Sequence, residues 1–215
     1  MKALVTGFEP FGGDGINPSS LALPKLKKRI RGVAVHTAEL PCSFAHSAAA
    51  LRVAIAEVKP DIVLCVGLAG GRAELCLERV AINVQDARIR DTDGKQPIEK
   101  PVVKAGPAAH FATLPVKACV AEMRKAGLPA AVSNTAGTFV CNHIFYALMH
   151  RIATQPALAH TRGGFVHVPY LPEQAASKPG FASMALAAQV EAFRVAIRTA
   201  LTVRDDVRET GGRLH

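Results

Sequence analysis

Residues 61–67, DIVLCVG, follow Pro60 and run into the glycine pair of VGLAGGR. A short, near-continuous apolar run of this kind suits a strand covered on both faces, as in the middle of a parallel sheet. The rest of the chain supplies the covering layers. Residues 2–6 and 33–40 read as strands, residues 44–58 as an alanine-rich helix ended by Pro60, and Asn17-Pro18 as the cap and first residue of a short helix. Residues 74–87 alternate like a strand or hairpin arm, with a change of phase near Glu78 that marks a bulge or bend. Further on, residues 114–126 form a helix, 130–133 a short strand, 164–169 the last strand and 182–203 a long closing helix. Alternation of this type predicts an α/β fold: a three-layer α/β/α arrangement around a central, largely parallel, twisted sheet. A chain of 215 residues fits one domain, 1–215, with no linker or repeat to divide it.

Composition narrows the function. No apolar stretch is long enough to span a bilayer, and the opening MKALVTGFEPF enters a strand without the sections of a secretory signal. A cytoplasmic protein with no membrane partner is expected. Its five cysteines (Cys42, Cys65, Cys76, Cys119 and Cys141) are scattered without a CxxC pair, which argues for reduced thiols and against a zinc site. The formal charge of +9 raises the question of nucleic acid, but aromatic residues are only 5% and no binding signature is present. The densest basic cluster, residues 25–31, reads as a solvated helix end.

The stretch with chemical promise is 133–146, SNTAGTFVCNHIFY. Val140, Ile144, Leu148 and Ile152 repeat at four with Cys141 beside them, so the cysteine heads the inward stripe of a helix that follows a tight turn through Gly137. The free N–H groups and positive end of a helix favour a thiolate and can receive an oxyanion. A cysteine nucleophile also needs a base and a group to orient it. His143, two residues along the helix, points elsewhere. His167, near the end of the last strand in GFVHVPY, and Glu78, which breaks an apolar alternation, are the candidates. On pattern alone, His167 reads more readily as a satisfied core residue than as a base, and Glu78 reads equally as half of a surface pair with Arg79. His36 and His46 lie in similar strand or helix contexts, whereas His110, His150, His160 and His215 read as loop or surface residues. Cys42, in a loop after Pro41, reads as the other accessible thiol. The loops 7–13, 67–72, 134–138 and 169–172 each follow a strand, and would share one rim of the sheet if those strands are parallel. The tail from Arg204 reads as loosely held.

GFEPFGG with Asn17-Pro18-Ser19, VGLAGGR leading to ERVAIN, SNTAGTFVCNHIFY and GGFVHVPYLPEQ closely resemble, in order and spacing, the pyroglutamyl-peptidase I family of cysteine peptidases. The resemblance runs end to end. It implies Cys141 as nucleophile, His167 as base and Glu78 as the acid that holds the imidazole, with no cofactor and no metal. It implies an activity, removal of an N-terminal pyroglutamyl residue from peptides, and a homotetramer. It also places Phe8, Phe11 and Phe139 around the lactam ring, although by pattern each reads as ordinary packing, and carries over Arg88 as an electrostatic helper. Leu68 and Val140 complete the substrate-binding or oxyanion set. Many relatives have Gln where this chain has Leu68. A small uncharged ring calls for an apolar pocket without a counter-carboxylate. A cysteine amidase acting on another small acyl or lactam substrate and a binding module without catalysis are the alternatives.

Overall fold

The computed structural model describes residues 1–212, so the reading of His215 lies outside the described residues. A seven-stranded sheet forms the centre. Its strands are β1 (Lys2–Phe8), β2 (Arg29–Ile30), β3 (Val33–Leu40), β4 (Ile62–Leu68), β5 (Leu75–Glu78), β8 (Ala130–Ser133) and β9 (Arg162–Val168), in the order β2-β3-β1-β4-β9-β5-β8. A separate two-stranded sheet pairs β6 (Val80–Ile82) with β7 (Ala109–Phe111). The change of phase near Glu78 is the passage from one sheet to the other through Arg79.

Helices cover both faces. On one, α1 (Pro18–Ala22), α3 (Val116–Lys125) and α6 (Leu186–Thr202) bury Val5, Leu64, Val66 and Val166. On the other, α2 (Ser47–Val58) and α4 (Val140–Thr154) bury Leu4, Val63, Cys65 and Phe165. Alternate residues of β4 thus feed opposite cores, which is why its sequence is apolar throughout. A short α5 (Pro172–Ala175) follows β9.

Strands β3, β1, β4 and β9 are parallel, so the loops after β1, β4 and β9 leave the same edge. The fourth loop differs. β5 runs antiparallel to β9 and β8 runs parallel to β5, so the chain leaves β8 beside Glu78, level with Phe165, and residues 134–139 travel back towards the rim. Its backbone reverses through Gly137 at φ 74°.

Local contacts explain where boundaries depart from the sequence pattern. Helix α2 starts at Ser47 rather than Phe44 because the Ser43 hydroxyl accepts from the N–H groups of Ala45 and His46, closing a turn first. Helix α6 starts at Leu186 because Met184 donates its N–H to the Tyr170 carbonyl. The basic cluster begins with Lys25 at the end of a 3-10 turn (Leu23–Lys25) and runs on into β2, an edge strand whose exposed Arg29 discourages further pairing. Nor does the whole tail hang free. The Asp206 carboxylate accepts from the N–H groups of Lys117 and Ala118, both at 2.9 Å, capping a helix whose own N-cap is Pro115.

Candidate active site

Cys141 is the second residue of α4, at the start of the helix that the 140/144/148 stripe predicts. The first N–H groups of the helix have no acceptor within it, and Cys141 lies among them. Gly67, near the end of β4, is the floor beneath that sulfur: a β-carbon added there would stand 2.7 Å from Sγ. In the sheet register Gly67 is paired with His167 of β9. Alternation puts His167 on the same face as Phe165 and opposite Val166 and Val168, so imidazole and thiol occupy adjoining places above neighbouring strands.

The third member arrives by the reversed strand. His167 Nδ1 and Glu78 Oε1 are 2.7 Å apart, with side chains 4% and 0% exposed. A carboxylate on Nδ1 assigns the proton to that nitrogen and leaves Nε2 as the basic one. The surface-pair alternative for Glu78 therefore fails, as Arg79 reaches instead to the Gly211 carbonyl. The cation beside Glu78 is Arg72, which the sequence reading did not single out. Its Nη1 donates to Glu78 Oε1 at 2.7 Å and to Ser133 Oγ at 3.3 Å, and its Nη2 donates to the Thr135 carbonyl at 2.9 Å. Its position in VGLAGGR, directly after the glycine pair, was the available signal.

Electrostatics modify the expectation of a thiolate. Burial pushes the Cys141 thiol well above its ordinary value, Cys42 and Glu78 add to the rise, and Arg72 opposes it. Burial likewise lowers His167; Glu78 pulls it back up and Arg72 reinforces the lowering. Burial thus works against the charged form of both groups, the thiolate and the imidazolium. Cys42 is no exposed thiol either: it is buried beneath the site and raised to about 12, chiefly by burial.

Cys141 and His167 open on a cavity of about 690 Å³ whose walls include Phe11, Leu68, Arg72, Arg88 and Phe139. The Phe11 and Phe139 rings lie 6.0 Å apart, and Phe44 packs edge-on behind Phe139. Phe8 and Val140 are not among the lining residues; both are buried in the core on the α2–α4 side. Leu68, buried at the end of β4 directly after Gly67, also lines the cavity. The cavity is less apolar than expected. Asp14 and Asp86 also line it, Asp14 being paired with Lys178 at 2.7 Å.

The other described histidines stand outside the cavity, and two depart from their sequence context. His143 is buried against the edge of Phe44, away from the cavity. His110 and His150, expected in loops or on the surface, lie in β7 and α4 and face each other at 3.1 Å. Among the described residues, no group of three or more His, Cys, Asp or Glu side chains is placed to hold a metal ion. No helix among them is long and apolar enough to cross a membrane.

Comparison with known proteins gives one answer. Residues 1–203 match a family model described as pyroglutamyl peptidase. The chain is 55% identical over 213 residues to pyrrolidone-carboxylate peptidase of Cupriavidus taiwanensis, covering 99% of this chain and 98% of that protein. It is 50% identical to the protein of the same name from Bacillus licheniformis, over 98% and 97% of the two chains. The crystal structure of pyroglutamyl peptidase I from Bacillus amyloliquefaciens superposes with a TM-score of 0.93 at 46% identity, over 98% of this chain and 99% of that one. Pyrrolidone carboxyl peptidase from Thermococcus litoralis superposes equally well, TM-score 0.93, at 36% identity, over 97% and 99% of the two chains.

Proposed function

Because the chain belongs to the pyroglutamyl peptidase family, we propose that it hydrolyses the bond after an N-terminal pyroglutamyl residue of a peptide, with Cys141 as nucleophile, His167 as general base and acid, and Glu78 as the residue that orients the imidazole. The observation that carries this reading is the 2.7 Å contact of Glu78 with Nδ1 of His167, on the same sheet face as the sulfur.

His167 Nε2 takes the thiol proton as Cys141 Sγ bonds to the pyroglutamyl carbonyl carbon. The imidazolium so formed is stabilised by Glu78 and then gives its proton to the departing amine as the C–N bond breaks. Water, deprotonated by His167, adds to the thioester, and the thiol leaves with the proton returned. The carbonyl oxygen gains charge beside the first N–H groups of α4, where dipole and donors both favour an anion. Burial disfavours a standing thiolate, which suits a thiolate formed as the base takes the proton.

Phe11 and Phe139 are suited to the faces of a flat lactam, and Arg88 at the cavity wall supplies positive charge. The family match over nearly the whole chain supports reading it as one catalytic domain. Five free cysteines support a cytoplasmic, reducing location, and the family resemblance supports a homotetramer, which would sediment at four times the 22.7 kDa chain mass. Chromogenic pyroglutamyl, alanyl and prolyl amides test the activity. Release from the pyroglutamyl compound alone is expected, with complete loss in Cys141→Ala; no release from it would overturn the reading.

A further inference from the structure

We propose that Arg72 is a positioning residue of the reaction: its guanidinium fork binds Glu78 and the segment 134–139 into one unit, so that the base and the helix carrying the nucleophile keep a fixed relation. This rests on the catalytic reading of Cys141, His167 and Glu78 given above.

The need for such a clamp follows from topology. His167 stands on β9, Glu78 on the antiparallel β5, and Cys141 follows β8, whose end lies level with Phe165 rather than at the rim. The six-residue return from β8 to α4 has few other ties: Thr135 N–H bonds to Ser133 Oγ, Gly137 N–H bonds to Thr135 Oγ1, and Thr138 bonds to the backbone of Asp86. Arg72 grips the start of that return at Ser133 Oγ and the Thr135 carbonyl. With the same fork it holds Oε1 of Glu78, the oxygen that also meets His167. The other oxygen, Oε2, is buried and has no partner among the described residues, so the orientation of the carboxylate depends on Oε1 alone.

The preceding glycines place the arginine there. A β-carbon on Gly70 would stand 2.4 Å from the Tyr170 ring, and Gly71 adopts φ 93°, so the loop passes under Tyr170 and turns Arg72 back over the sheet. This accounts for the GGR of the motif, which the catalytic trio leaves unexplained.

The positive charge has a second consequence. Other groups facing the pair are Glu78 and Cys76 on β5, Cys65 on β4, Cys42 from the β3–α2 loop, and Asp86 and Arg88 across the cavity. Arg72 is the cation that favours the thiolate of Cys141 and disfavours the imidazolium of His167. Its loss should move both titrations to higher pH, whereas a purely structural role would move neither.

The test compares Arg72→Gln and Arg72→Lys. Steady-state kinetics on the pyroglutamyl amide across pH are paired with iodoacetamide alkylation of Cys141, followed by peptide mass. Arg72→Gln is expected to lower kcat about 100-fold with KM within about threefold. It should also raise the alkylation midpoint by about one pH unit. Arg72→Lys, which keeps the charge but not the fork, is expected to hold the midpoint within about 0.3 unit while losing about tenfold in kcat. Parent-like kcat and midpoint in Arg72→Gln would overturn the proposal. If that variant does not fold, unchanged kcat in Arg72→Lys would overturn it instead. Alkylation needs no substrate, so a parent protein inactive on pyroglutamyl amides would defeat the functional reading while still leaving Arg72 judged.

Discussion

Gly67 lies directly beneath Cys141. A β-carbon built on it would stand 2.7 Å from the sulfur and 2.9 Å from the Phe165 ring, so the absence of a side chain at this position of β4 sets where the sulfur rests. Gly67→Ala should push the sulfur off its place beside His167. We expect kcat/KM to fall by at least about 100-fold, since small misplacements of reacting groups have effects of that order. Overpacking should cost roughly 1–3 kcal/mol in urea unfolding. Activity within a few-fold of the parent would show that the sulfur has room the structure denies it.

Glu78→Gln preserves volume but removes the charge between His167 and Arg72. An amide can offer N–H where Nδ1–H needs an acceptor, leaving the wrong tautomer favoured. The expected loss is about 10²–10⁴ in kcat, with KM little changed, by analogy with orienting acids of other triads. Rates measured at saturating pyroglutamyl amide decide this. A loss confined to KM would assign Glu78 to binding rather than to orientation.

Asn142, next to Cys141, has a structural task. It is fully buried; its Oδ1 accepts from Ile82 N–H at 3.0 Å, and its Nδ2 donates to the carbonyls of Ile82 and Val84 at 2.9 and 3.0 Å. One amide thus stands in for a missing sheet partner of β6. Asn142→Leu leaves three backbone groups unpartnered. The expected cost is on the order of 3 kcal/mol by denaturant titration, and a change below about 1 kcal/mol would mean that the hairpin finds other partners.

Acid stability should depend on His143. Its ring is buried, neither nitrogen has a partner among the described residues, and burial lowers it from 6.5 to about 4. Between those values the unfolded chain binds a proton that the folded chain does not, so stability falls as pH falls from about 6.5 towards 4. Burial lowers His167 and His110 as well, which adds in the same direction. His143→Phe should reduce the loss of unfolding free energy between pH 7 and pH 5 by about 2 kcal/mol. Parallel pH profiles of parent and variant would show that the ring is protonated in the folded protein.

The sequence carried the layers because apolar periodicity is a local record of burial on one face or two. It marked β3 and β8 to the residue, put Cys141 at the head of a helix, and set His167 opposite Val166 and Val168. Family motifs raised Cys141, His167 and Glu78 above the other thiols, histidines and acids. It missed β2, since a strand of two residues, Arg29–Ile30, has no period to read, and it could not divide 74–87 between two sheets.

What the chain's own pattern determined, then, is which segments are strands and helices and which faces they bury, because those follow from neighbours a few residues away. The tertiary structure alone decided that β5 and β8 run against β9, that Arg72 rather than Arg79 pairs with Glu78, and that Cys42 is covered. Strand direction, ion pairing and the protonation of a buried thiol depend on groups brought together from distant parts of the chain, and no local spacing encodes them.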